Sequence, residues 1–136
     1  MNRQLPQHHW HRRRQPAQAL VETALSAVQL VVVLALVLNV GLWGHAQNVV
    51  TAAVQDGARV AAAQGADLAH GRARAQALLA AGLGTSAVLI TLAATEDGQS
   101  VTFTARGTWR VVSGPGVEVG FPIAAESRML KHEWQP

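Results

Sequence analysis

Glu22 is the only acidic residue before Asp56, and it stands four residues after Gln18 at the start of a long apolar run. A carboxylate there has two uses. The macrodipole favours it near a helix N-terminus by about 0.3–1 kcal/mol, and it can neutralise a cationic group brought alongside, since acids at a membrane edge tend to be paired. The other chemistry-bearing residues are poorly arranged. His8, His9 and His11 fall in a run rich in Arg and Pro, with nothing to orient the imidazoles, so no metal site is expected. The absence of cysteine removes disulfides and thiolate metal sites. No phosphate-binding glycine loop, HExxH pair, CxxC or GxSxG occurs, and Ser, His and Asp stand in no order that suggests a triad. Neither an enzyme nor a cofactor is expected.

The element that must position Glu22 is a membrane segment. Thr23 to Gln55 contain no Asp, Glu, Lys or Arg, and Leu25 to Trp43 hold six Leu and six Val in 19 positions. A helix of that length rises about 28 Å, close to the roughly 30 Å hydrocarbon core of a bilayer. The twelve Leu and Val contribute on the order of −4 to −7 kcal/mol toward insertion. Ser26, Gln29 and Asn39 carry no charge to oppose it. Arg3, Arg12, Arg13 and Arg14 precede the segment without an acid, so the positive-inside bias keeps the N-terminus in the cytoplasm and everything beyond Trp43 outside.

Net charge is +3 over 136 residues, which invites a nucleic-acid reading. The excess belongs to residues 1–17, with four Arg and no acid; residues 18–136 carry seven basic groups against eight acids. A near-neutral remainder offers no phosphate-binding surface, and no nucleic-acid partner is expected. Residues 1–17 form a basic, disordered cytoplasmic leader. Its Arg12-Arg13-Arg14 run is followed by Gln15-Pro16 instead of an apolar stretch, which argues against a twin-arginine signal.

Beyond the membrane segment the helical pattern continues. Val49, Ala53 and Val60 recur near helical spacing, and Asp56 and Arg59 lie three apart. Residues 18–64 therefore predict one helix of about 70 Å, with the transmembrane part at 25–43; Gly41 and Gly44 are candidate flex points. Residues 65–136 make an extracytoplasmic unit. Gly65 ends the long helix, Asp67 caps a second, and Leu68, Ala75, Leu78, Leu79 and Leu83 mark its apolar face. Gly82 and Gly84 stop it, and Arg72 and Arg74 lie on a solvated face. From Ala87 the period becomes two, Asp97-Gly98 supplies a hairpin turn, and Val101, Phe103, Ala105, Gly107, Trp109 and Val111 face the core. Ser113 to Gly116 form a turn, and VEVGFPIAAESRMLKHEW adds one or two strands with Pro122 at an edge or bend. The fold class is α+β, with a small antiparallel sheet laid on the outer half of a long helix.

AQALVETAL, the apolar run and VVTAAVQDGARVAAAQG together resemble the TadE-like proteins, pilin-related components of tight-adherence (Flp, type IVc) pilus systems. The resemblance spans Arg14 to Gln64. It implies a type IV pilin-like fold in a bacterial cytoplasmic membrane, with the last stretch as strand. It also implies cleavage between Ala17 and Gln18 by a prepilin peptidase, and a Glu22 that meets the new α-amine of a neighbouring subunit. The implied partners are the membrane, the peptidase, other pilins or pseudopilins, and an assembly platform. Ala17 stands where the family usually has Gly, and Thr23 where the major pilins carry Tyr. The second departure points to a minor pilin or pseudopilin. Two other readings stay open: an exported binding module with a signal peptide cut near Ala46, after Gly44-His45-Ala46, and an uncut single-span envelope scaffold.

Overall fold

The computed structural model describes residues 14–63, 67–112 and 118–131. The expected leader, with its three histidines, lies almost wholly outside these residues, as do Gly65, the turn at 113–116 and the tail after Lys131. The described elements are helix α1 (Arg14–Ala62), helix α2 (Leu68–Leu83), a 3-10 turn at Gly84–Leu89, and strands β1 (Ile90–Glu96), β2 (Ser100–Val112) and β3 (Glu118–Leu130). The strands form an antiparallel sheet in the order β1-β2-β3. This is the expected α+β layout. The chain divides into two units, Met1–Leu38 and Asn39–Pro136.

The described part of the first unit is helix alone. It starts at Arg14, before the Gln18 expected, because Pro16 falls in the first turn, where its missing N–H would have no intrahelical partner. Every side chain from Ala17 to Leu38 is exposed. The Thr23 and Ser26 hydroxyls donate back to the carbonyls of Ala19 and Glu22 at 2.8 and 2.9 Å, which satisfies them without water.

In the second unit α1 buries one stripe: Ala46, Val50, Ala53, Val54, Ala58 and Ala61. The spacing of three and four is helical, but the stripe is centred one position away from the Val49 and Val60 expected, which are only half-buried. Small side chains let the helices close in. A Cβ added at Gly71 would lie 2.5 Å from the Gly57 carbonyl and 2.9 Å from the Phe103 ring; one at Gly57 would lie 2.9 Å from the Ala75 methyl. Phe103, fully buried, covers this glycine crossing. α2 presents Gly71, Ala75, Leu79 and Leu83 to the core. Gly82 does not stop α2 but sits inside it against Val49; Gly84, at φ +55°, ends it. Asp56 pairs with Arg74 of α2 at 2.7 Å, so Arg74 is engaged and not simply solvated.

The sheet keeps its expected faces with two shifts. Strand β1 begins at Ile90 instead of Ala87, because the Ala87 carbonyl is taken by the Ile90 N–H in a local 3-10 turn. The two central turn residues are Gly98 and Gln99, one later than expected: the Asp97 N–H donates to the Ser100 carbonyl at 3.1 Å, and Gly98 alone has positive φ, at +83°, the pattern of a type II′ turn. Val101, Phe103, Ala105 and Ile123 are buried, with Ala125, Ser127 and Met129 half-buried and Glu126 and Arg128 outside. Pro122 lies on the edge strand β3, opposite Thr108.

Alanine usually stabilises a helix over glycine by about 1 kcal/mol. At Gly71 the sign reverses: Gly71→Ala costs about 1–3 kcal/mol through overpacking, whereas Gly44→Ala, with nothing within 4 Å of its added Cβ, does not destabilise. Thermal unfolding of both full-length variants in detergent checks the contrast.

Candidate functional site

Ala17, Gln18 and Glu22 lie on the first three turns of α1, all exposed. Gln18 and Glu22 are one turn apart on one face, about 6 Å along the axis. The structure gives this carboxylate no covering element: every described side chain through Leu38 is open. Ala17 and Gln18 are the fourth and fifth residues of α1, so few intrahelical hydrogen bonds precede the bond between them and local unwinding there breaks few. Chemically the site can do two things. It presents a peptide bond for cleavage near a helix start, and it holds a carboxylate at the edge of a run, Thr23 to Gln55, that carries no charge.

That helix is long and apolar enough to cross a membrane, and among the described residues it is the one such helix. Leu20 is 72% exposed and Leu38 58%, with the large side chains between them equally open. In water such a surface is unsustainable; lipid or other helices must cover it. Residues 17–59 match the family model of the TadE-like proteins. The expectation drawn from AQALVETAL and DGAR is therefore met by an independent comparison. The TadE-like stretch begins at Ala17, takes in Glu22 and the apolar run, and ends at Arg59 inside the buried half of α1. No curated protein and no solved structure matches the chain.

Two polar contacts fix the sheet to α1, and a third ties the sheet to itself. Trp43 Nε1 donates to the Pro122 carbonyl at 3.4 Å and Gln47 Nε2 to the Ala124 carbonyl at 2.7 Å. The Trp43 ring also lies against Phe121, centroids 6.4 Å apart. The third is a cluster at the β1–β2 turn. Asp97 Oδ1 accepts from the Ser100 N–H at 2.8 Å and the Ser100 hydroxyl at 2.9 Å, while Arg128 donates through Nε to the Ser100 hydroxyl and through Nη2 to Asp97 Oδ2. Lys131 pairs with Glu96 beside it. The long-range partners in these contacts, 28 to 79 residues apart, leave no local pattern in the sequence.

The Ser100 hydroxyl and N–H, then the Arg128 charge, hold the Asp97 carboxyl below its ordinary value. The His70 N–H does the same for Asp67, the N-cap of α2. A lowered folded pKa gives stability that is present above the unfolded value, about 3.9, and is lost as pH falls through the folded value. Asp97→Ala is therefore expected to be less stable than the parent from pH 5 to 8, with the difference shrinking below about pH 4. Unfolding midpoints measured across that range read the convergence directly.

Proposed function

We propose that this chain is a minor pilin or pseudopilin of a tight-adherence pilus assembly system, a structural component without catalytic activity. It inserts once in the cytoplasmic membrane with its N-terminus inside and residues beyond Trp43 outside. A prepilin peptidase cuts between Ala17 and Gln18. The α-amine at Gln18 and the carboxylate at Glu22 then pair between neighbouring subunits, drawing the apolar helices into one bundle and supporting pilus assembly and adhesion.

The observation that carries the reading is the TadE-like match beginning at Ala17 and including Glu22, on a helix whose side chains through Leu38 bury nothing within the chain. The exported-module reading is disfavoured by a specific contact set. Ala46 is fully buried, and Trp43 reaches the Pro122 carbonyl. Removal of everything before Gln47 would strip both from the folded unit.

Intact-mass measurement of the membrane-extracted protein tests the cut. A chain starting at Gln18 only when the peptidase is co-expressed is the expected result; an intact Met1 beside active peptidase would contradict it. Glu22→Ala is expected to be cut normally yet to abolish its contribution to piliation, scored by electron microscopy of the cell surface.

A further inference from the structure

The two edges of the sheet differ. Asp97 and Ser100 are the hydrogen-bonded pair beside the turn, and pairs alternate from there. Thr91, Ala93 and Thr95 thus turn their backbone groups toward β2, and Leu92 and Ala94 turn theirs to the open side. The same alternation across β2 points Pro122 and Ala124 outward on β3, where Trp43 and Gln47 meet their carbonyls and proline removes a donor. The Pro122–Ala124 part of that edge is capped by α1. On β1, no strand or side chain among the described residues meets the outward groups of Leu92 and Ala94. Ile90–Thr95 also lacks the Lys, Pro or bulge by which proteins usually blunt an edge.

A groove of about 300 Å³ runs beside this edge, lined by Leu68, Ala69, Arg72, Ala73 and Gln76 of α2 and Ala94 of β1. A strand added to β1 would lie about 4.8 Å from it, over that groove. Ala69 and Ala73 leave room for small apolar side chains. Arg72 has no ion pair among the described residues, unlike Arg74, which Asp56 holds. We propose that the β1 edge and this groove dock an extended segment of a partner protein, with small apolar side chains at alternate positions and an acidic side chain against Arg72. A second copy is the poorer occupant: the only acid of its own β1 is Glu96, which Lys131 already holds. The surface lies wholly in the 39–136 unit and does not depend on cleavage after Ala17.

The test is amide hydrogen exchange of the full-length chain in detergent micelles, read by NMR, with an eight-residue peptide VTVTETVT, whose valines and glutamate share one face, as probe. The peptide is expected to slow the Leu92 and Ala94 amides about tenfold or more, leaving Ala93 unchanged. A counterpart with lysine replacing the glutamate does not protect the parent chain but protects Arg72→Glu. Ala94→Pro, which keeps the ladder to β2 while removing an outward donor, abolishes the effect. Absence of protection at millimolar peptide, equal protection by both peptides, or protection that follows protein concentration without peptide would each overturn the proposal.

Discussion

The folded unit rests on one close approach, the crossing of α1 and α2 at Gly57 and Gly71. Backbone meets backbone there because neither residue has a side chain, and the Phe103 ring seals the crossing from the sheet. The rest of the core follows from it. Alanines line α1 above and below the crossing, so the sheet can lie close and bury Val101, Ala105 and Ile123. Such a core has few large side chains and depends on fit more than on apolar mass. The added ties are polar and peripheral: Asp56 to Arg74, the Asp97–Ser100–Arg128 cluster, and the two donors α1 extends to the edge of β3.

The first half of α1 obeys the opposite rule. Its apolar side chains point in all directions and are exposed from Ala17 to Leu38, and its hydroxyls are turned back onto the helix. A helix of this kind is finished only by an environment, a bilayer or a bundle of similar helices. Against that background one carboxylate near its start is conspicuous. On the proposed function, a bundle of cut subunits would offer Glu22 a cation at each neighbour, and the match to the TadE-like family model, over 17–59, includes Glu22.

Much of this was legible in the sequence, and the failures are instructive. The apolar run, the Asp67 cap and the alternating face of β2 from Val101 to Trp109 are local patterns, and each appears in the structure as read; the Val111 side chain lies outside the described residues. The glycines were misjudged. Gly82 reads as a helix stop, yet Val49 packs on it, and Gly57 and Gly71 gave no sign of meeting because their partners lie in other elements. Periodicity likewise misplaced the start of β1, since a 3-10 turn and a strand both tolerate the run after Ala87. Ala17, Gln18 and Glu22 were singled out by the motif and the place of the acid, and the fold of a single chain gives them no partner among the described residues.

The central claim is that Glu22 meets the N-terminal amine of a neighbouring cut subunit. Zero-length carbodiimide cross-linking of membranes, followed by mass spectrometry, tests it most directly, because an amide forms only between a carboxylate and an amine already in contact. The expected product is a Glu22 side chain joined to the α-amine of another mature subunit, present with active peptidase and lost without it. Fully cut protein that yields no such cross-link, in cells that assemble pili normally, would contradict it.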